Sequence, residues 1–199
     1  MDWAHFPNYA IIENGMQKKL YCVLMILGYS RNRYIEFVTD MTTKTLLRCH
    51  NNAFRYLGGY PDEILYDNMK QVVIKRLLKQ KDSTLNNVFE DFAGYYGFKP
   101  VLCRPYRGQT KGKVERIVSF VRSNFMTGIT YSSLANLNEK AIKWCDKVNA
   151  KVHGTTGKIP MKLLDEENLN QITKEFLVNL PKVRKVGRRL LLEITSRQI

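Results

Sequence analysis

The 199-residue sequence predicts an α/β fold in which a mixed sheet is flanked by helices. Two patterns predict it. Apolar runs of strand length near the N-terminus are separated by turn residues, which is typical of an antiparallel meander. From Thr42 onward, segments with helical spacing alternate with short strands, which is typical of parallel strands joined by helices. With 44% hydrophobic residues, the chain can bury a core without disulfides, and this excludes a disordered protein.

Three strands are predicted before the first helix. Asp2–Phe6 begins the first strand, and Asn14-Gly15 forms the turn into the second. The continuous apolar run Leu20–Leu27 predicts a strand that is buried on both faces. The alternating segment Tyr34–Val38 predicts its partner. The sheet is therefore expected to open as an antiparallel meander.

Helices and strands then alternate. Helical spacing predicts four helices, which begin near Thr42, Ser83, Val114 and Leu134. Short strands are predicted at Glu63–Asp67 and Lys99–Cys103. These two strands are expected to be parallel and to complete a five-stranded mixed sheet.

Charge separates the sequence into unequal parts. The chain has 32 Lys and Arg against 18 Asp and Glu, which gives a net charge of +14. Residues 1–67 are neutral, whereas residues 68–130 carry +8 and residues 131–199 carry +6. Such a local excess favours a polyanionic partner, most often nucleic acid, and the alternative is a solvated surface tuned for solubility.

Several protein classes are excluded or disfavoured. No apolar run is long enough to span a bilayer, and the acidic start at Asp2 is unlike a signal peptide. We therefore expect a cytoplasmic protein that does not bind membranes. The four cysteines form no C-x-x-C pair and the three histidines have no metal-ligand spacing, which predicts free thiols and no structural zinc.

Three acidic residues occupy positions that suit phosphodiester chemistry. Asp2 starts the first predicted strand, Asp67 ends the fourth, and Glu115 lies in the first turns of the third helix. Carboxylates beside basic residues can hold two Mg²⁺ ions at a phosphodiester. Each acid also has an ordinary explanation, since a strand-end Asp often caps a turn and a Glu near a helix N-terminus complements the macrodipole. Spacing alone does not show that the three acids meet.

Three blocks of the sequence carry a family resemblance. They are Asp2-Trp3, the run from Leu65 to Lys70 (Leu-Tyr-Asp-Asn-Met-Lys), and the run from Arg104 to Arg116 (Arg-Pro-Tyr-Arg-Gly-Gln-Thr-Lys-Gly-Lys-Val-Glu-Arg). The third block is the most specific. Further matches lie at Gly28–Arg31, Cys49–Gly59 and His153–Gly157 with Pro160, whereas the short first block is weak by itself. Over roughly residues 1–165 the chain resembles DDE transposases, in particular the IstA-type insertion-sequence transposases, which share a catalytic core with retroviral integrases.

The resemblance implies an RNase H-like fold with a mixed five-stranded sheet, three strands antiparallel and two parallel, flanked by helices. It implies that Asp2, Asp67 and Glu115 are the catalytic acids and bind two Mg²⁺ ions, for which Mn²⁺ can substitute. In this family water first cuts the phosphodiester at an element end, and the freed 3′-hydroxyl then attacks target DNA. The interval between Asp67 and Glu115 is long for an integrase, and the basic insert Lys70–Lys81 accounts for it.

The resemblance also implies partners. They are DNA, both element ends and target, further copies of the chain on paired ends, and a helper ATPase of the same element; a transposase of this kind associates with the bacterial nucleoid during transposition. The positions that match DNA contacts are Asn68, Lys70, Arg104, Arg107, Lys111, Lys113 and Arg116.

The expected organisation is a catalytic core over residues 1–128, a helical extension over 129–165 and a basic, partly ordered tail over 166–199. The N-terminal helix-turn-helix domains and the small C-terminal domain of the family are not recognisable, so a core fragment, a truncated reading frame or a decayed element is expected. Two other functions stay open: a non-catalytic nucleic-acid-binding remnant, and an RNase H-like nuclease that cuts without transferring strands.

Overall fold

The computed structural model describes residues 1–75, 77, 83–103 and 116–173. The predicted antiparallel meander is confirmed. Its strands are β1 (Asp2–Glu13), β2 (Met16–Ile26) and β3 (Arg33–Val38), and they pair in the order β1-β2-β3. Asn14 and Gly15 form the first turn with φ values of 51° and 74°, the left-handed region that these two residue types tolerate best.

The strand β1 is longer than the prediction because an irregularity lies inside it. The pairing passes directly from Phe6, opposite Leu20, to Ala10, opposite Lys19. The three intervening residues of β1 therefore have no counterpart on β2, and they form a bulge. Beyond this bulge the hairpin continues to Glu13.

The next elements follow the predicted alternation of helix and strand. They are α1 (Thr43–Leu57), β4 (Glu63–Tyr66), β5 (Val73–Lys75), β6 (Thr84–Leu85), α2 (Asn87–Tyr96) and β7 (Lys99–Leu102). The side chains of Thr42 and Asn86 cap the N-termini of α1 and α2 by accepting backbone N–H groups. Gly58 ends α1 with a φ of 75°, where a Cβ atom would be strained.

The single five-stranded sheet is not confirmed. The described strands form a three-stranded sheet, a parallel pair of β4 and β7, and an antiparallel pair of β5 and β6. The meander and the parallel pair nevertheless lie side by side, because the backbone nitrogen of Met1 donates to the carbonyl oxygen of Leu65 over 2.7 Å. The β5–β6 pair is not predicted by the sequence: β5 lies within the basic stretch Lys70–Lys81, which lacks the alternation of a strand. The strand β6 occupies the predicted start of the second helix near Ser83, and α2 begins instead at Asn87.

Two helices follow the parallel pair. The first, α3, is described from residue 116, with α-helical residues 116–120 that continue into a π-helical turn, Val121–Met126. Its predicted beginning near Val114 lies outside the described residues. The second, α4 (Leu134–Asn149), is confirmed. A 3₁₀ helix, Pro160–Glu167, follows α4 and spans the expected boundary between the helical extension and the tail. Within the described ranges, no helix is long and apolar enough to cross a membrane.

The meander carries a core on each face, because successive side chains of a strand point to opposite sides. Trp3 and Val23 pack with α1 and α2 on one face. Ala4 and Phe6 pack with α3 and α4 on the other. The edge strand β3 is covered by α4, where each of two asparagine side chains bonds both backbone groups of a strand residue: Asn138 pairs with Phe37, and Asn149 with Arg33. These contacts satisfy an edge that would otherwise be open to another strand.

The chain after α4 returns to the core. Glu167 accepts the backbone N–H groups of Tyr29 and Ser30 at the β2–β3 turn, and Asn170 forms a two-way backbone bridge with Tyr60 before β4. Gly59 permits this approach, since a Cβ atom there would lie 2.6 Å from the carbonyl oxygen of Asn170. Residues 160–170 are thus tied to the core at two points.

Candidate active site

Two of the three predicted catalytic acids meet at one end of the sheet. Asp2 is the first residue of β1, and Asp67 directly follows β4. The contact between Met1 and Leu65 sets the start of β1 beside the end of β4. The two carboxylates are close enough for the charge of Asp67 to act on Asp2. Glu115 lies outside the described residues.

The electrostatics of this pair are unfavourable for two negative charges. Burial raises the pKa of the Asp2 carboxyl above its ordinary value, and the neighbouring charge of Asp67 raises it further. The hydrogen bond from the Trp3 backbone opposes this rise. The fold therefore holds Asp2 where its ionised form is disfavoured until a cation offsets the two charges.

Each carboxylate keeps one oxygen open. The Trp3 N–H donates to Oδ1 of Asp2 over 2.7 Å, and the Asn68 N–H donates to Oδ1 of Asp67 over 2.8 Å. Among the described residues, no lysine or arginine side chain forms an ion pair with either acid. The Met1 ammonium offsets only part of the cost of the Asp2 charge. Carboxylate oxygens are the donors that Mg²⁺ and Mn²⁺ prefer, so the residues present fit such an ion. The described part of the chain contains no group of three or more potential metal ligands.

A buried polar contact lies directly behind Asp67, and the sequence did not reveal it. Tyr66 and His50 are each 0% exposed. Nε2 of His50 lies 2.7 Å from the Tyr66 hydroxyl, and Nδ1 lies 2.8 Å from the carbonyl oxygen of Leu46. Burial lowers the pKa of His50 to about 3, so the ring is neutral. The available signal was the position of His50 on the apolar face of α1, four residues after Leu46 and four before Phe54.

Contacts between α3 and β1 show which end of α3 lies toward the acidic pair. Arg122 donates to the carbonyl oxygen of His5 over 2.8 Å, and four residues later the carbonyl of Met126 accepts from the Tyr9 hydroxyl over 3.3 Å. The helix therefore runs along β1 in the same direction as the strand. Arg33 stacks over the Phe120 ring at 5.5 Å, at the end of the sheet where Asp2 lies. The described start of α3, residue 116, points toward that end.

The predicted DNA contacts are only partly described. Asn68 and Lys70 are exposed beside Asp67, and Arg116 is exposed at the described start of α3. Both regions belong to the end of the molecule that holds the acidic pair. The other four predicted contacts lie outside the described residues: Arg104, Arg107, Lys111 and Lys113.

Comparison with known proteins gives consistent matches. Residues 1–108 match the integrase core domain. The chain is 38% identical over 188 residues to a protein named as the transposase of insertion sequence element IS5376 from Geobacillus stearothermophilus, covering 94% of this chain and 46% of that protein. It is 35% identical over 151 residues to the IS21-like transposase of Bacteroides fragilis, covering 75% of this chain and 29% of that protein. The chain spans less than half the length of these relatives.

Solved structures with low sequence identity share the fold. One is the catalytic core domain of BIV integrase, with a TM-score of 0.51 at 16% identity over 83% of this chain and 93% of that chain. Another is a chain of the simian T-cell lymphotropic virus intasome solved in complex with PP2A regulatory subunit B56 gamma, with a TM-score of 0.54 at 14% identity over 95% of this chain and 60% of that chain. The α/β architecture is thus that of integrase catalytic cores. Together with the sequence matches, this shows that the chain belongs to the integrase core domain family, alongside insertion-sequence transposases.

Proposed function

We propose that this chain is the catalytic core of an insertion-sequence DNA transposase that processes the 3′ ends of its element and joins them to target DNA. The observation that carries the proposal is the meeting of Asp2 and Asp67 at one end of the sheet. Their open carboxylate oxygens and mutual repulsion suit a divalent cation. The family match and the transposase relatives support the same reaction class.

In this proposal Asp2, Asp67 and Glu115 are the catalytic acids and hold two Mg²⁺ ions, for which Mn²⁺ can substitute. Bound ions of this kind stabilise the attacking and leaving oxygens at a phosphodiester. The role of the chain is to hold the acids at a fixed separation. The fold supports this role, because Asp2 begins a paired strand and Asp67 directly follows another.

The direction of α3 supports the inclusion of Glu115. This acid directly precedes the first described residue of a helix that points toward the acidic pair. The contact between Met1 and Leu65 supports the family's five-stranded arrangement, in which the parallel pair continues the meander. The core is assigned to residues 1–128, the helical extension to 129–165 and the basic tail to 166–199.

DNA is the proposed substrate of this end of the molecule. Negative acids alone repel phosphates, so the surrounding cations must supply the attraction. Residues 68–130 carry a net charge of +8, and three of the proposed contacts in this segment, Asn68, Lys70 and Arg116, are exposed. The full proposed set is Asn68, Lys70, Arg104, Arg107, Lys111, Lys113 and Arg116. By family resemblance, further copies of the chain on paired DNA ends, a helper ATPase and nucleoid association are also proposed.

The test is a Mn²⁺ titration of the 199-residue chain with an oligonucleotide that mimics a pre-cut element end. We expect metal-dependent joining to a target duplex, which Asp67→Asn and Glu115→Gln abolish. Asp91→Asn is the matched control, because Asp91 is an exposed acid on α2 away from the acidic pair. Salt-sensitive DNA binding without metal-dependent joining would contradict catalysis by this chain, and hydrolysis without joining would identify a nuclease instead.

A further inference from the structure

The buried contact behind Asp67 has a defined proton arrangement. The carbonyl oxygen of Leu46 can only accept, so Nδ1 of His50 carries the proton and Nε2 is left as an acceptor. The Tyr66 hydroxyl must then donate to Nε2 over 2.7 Å. Both side chains lie within a cluster of aromatic rings with no exposed surface. This contact joins α1 to the last residue of β4 through a single, directed hydrogen bond.

Tyr66 is the last fully enclosed residue before the acid. Its carbonyl oxygen accepts the N–H of Cys103 over 2.9 Å, and its ring meets Phe89 edge-to-face at 5.1 Å. The next residue, Asp67, is exposed, and its carbonyl oxygen accepts the Met69 N–H in a tight turn. The orientation of the Asp67 carboxylate therefore depends on how firmly Tyr66 is held.

We propose that His50 and Tyr66 are positioning residues that set the place of Asp67 for divalent metal binding. The inference rests on the proposed function, because it requires that Asp67 bind metal. A constellation of this kind must be held within about 0.5 Å of its productive geometry. The main chain of β4 is fixed on one side by β7, and the His50–Tyr66 hydrogen bond fixes it from the core. Both side chains are fully buried, so neither would contact an ion held by Asp67, and both would act through Asp67.

The test compares Tyr66→Phe with Tyr96→Phe. Tyr96 is the matched control, because it is also a buried tyrosine of the same aromatic cluster and its hydroxyl donates to Asn51 over 2.9 Å. Both variants lose one hydroxyl and one buried hydrogen bond, so a similar loss of stability is expected. Mn²⁺ affinity is measured by calorimetry without DNA. We expect about a tenfold weakening in Tyr66→Phe, as is usual for partners behind metal ligands, and less than a twofold change in Tyr96→Phe.

A double variant separates positioning from stability. His50→Leu combined with Tyr66→Phe removes both polar partners, so no unpaired group stays buried and much of the stability returns. The hydrogen bond between His50 and Tyr66 is still absent, so Mn²⁺ affinity is expected to stay about tenfold weaker than that of the unmodified chain. Recovery of affinity together with stability would overturn the inference, as would equal affinity of Tyr66→Phe and the unmodified chain.

Asp67→Asn distinguishes failure of the inference from failure of the proposed function. If the unmodified chain binds Mn²⁺ and Asp67→Asn does not, the metal site is real, and the Tyr66 variants then decide the inference alone. If Asp67→Asn binds Mn²⁺ as tightly as the unmodified chain, the proposed metal site itself is wrong and the inference falls with it.

Discussion

Two acidic regions of the molecule, Glu36 on β3 and the Asp2–Asp67 pair, differ in the groups that offset their negative charges. Glu36 lies on β3 and is 7% exposed. Its carboxylate accepts from the Tyr34 hydroxyl over 2.9 Å and from the Asn52 amide over 3.1 Å, and Arg48 approaches to 3.9 Å. A buried charge is tolerated when donors surround it, and Glu36 meets that condition.

The Asp2–Asp67 pair is arranged in the opposite way. Each acid receives one backbone N–H from the residue that follows it, and the charge of Asp67 adds to the effect of burial in raising the pKa of Asp2. The comparison teaches that a buried structural carboxylate is surrounded by side-chain donors of its own chain, whereas each acid of this pair receives one backbone N–H and only Asp2 is also influenced by the Met1 ammonium. Such incomplete sites are where function is expected.

The largest expected effect is on strand-joining activity, which Asp67→Asn should lower and Glu36→Gln should not. Asp67→Asn is expected to lower metal-dependent strand joining by at least about 1,000-fold, or about 4 kcal/mol of barrier, because it removes a proposed metal ligand. Glu36→Gln, measured on the folded fraction, is expected to keep joining within about threefold. Rates come from single-turnover joining assays with a pre-cut oligonucleotide. Comparable losses in both variants would break the comparison.

The second effect is on stability, and here Glu36→Gln is expected to have a larger effect than Asp67→Asn. Glu36→Gln is expected to lower the free energy of unfolding by about 1–2 kcal/mol, because the single amide oxygen of glutamine cannot keep every contact that the two carboxylate oxygens make with Tyr34, Asn52 and Arg48. Asp67→Asn is expected to leave stability unchanged or higher. Urea unfolding followed by circular dichroism measures both. A stable Glu36→Gln variant would show that these donors find other partners.

The third effect is the response to metal. Mn²⁺ at a hundred times its dissociation constant is expected to stabilise the unmodified chain by about 2.7 kcal/mol, since binding to the folded state alone shifts unfolding. Glu36→Gln should show the same increment on its lower baseline, and Asp67→Asn should show none. Thermal unfolding with and without Mn²⁺ gives the increments. Loss of the increment in Glu36→Gln would mean that the two regions are coupled.

The sequence predicted the elements better than the connections between them. The meander, α1 and α4 were predicted because their apolar periodicity reflects the face that each element buries. The division into separate sheets was not predicted, because hydrogen bonding between β1 and β4 depends on distant chain segments. The β5–β6 pair was also missed, since its strands are short and lie beside a basic stretch without alternation.

The sequence likewise predicts individual residues of the candidate site better than the contacts between them. Asp2 and Asp67 were named from short sequence blocks, and their meeting could only come from the fold. The His50–Tyr66 contact was not predicted, because its partners are 16 residues apart and each looks like an ordinary core residue. The catalytic, metal-binding and DNA-binding roles of all the named residues stay predictions, and for Glu115 and the basic residues from 104 to 113 the position in the fold does too.

The smallest expected effect concerns pH. Since the pKa of Asp2 is raised above 3.8, the folded state holds this proton more tightly than the unfolded state. Stability is therefore lost as pH rises from 3.8 through the raised pKa, and the loss persists at neutral pH. Asp2→Asn removes the cost of burying this charge beside Asp67, so without metal it should be more stable than the unmodified chain at pH 7. Below pH 3.8 the difference should vanish.

Asp40 is the control of opposite sign. Burial disfavours its charge, but hydrogen bonds from Thr45 and Thr42 outweigh burial and lower the pKa of the Asp40 carboxyl. Its contribution is present above the ordinary value of 3.8 and is lost as pH falls through the lowered pKa. Asp40→Asn should therefore be less stable than the unmodified chain at pH 7, and this difference should also vanish in acid. If both variants shift stability in the same direction at pH 7, the contrast between completed and incomplete carboxylates does not govern this fold.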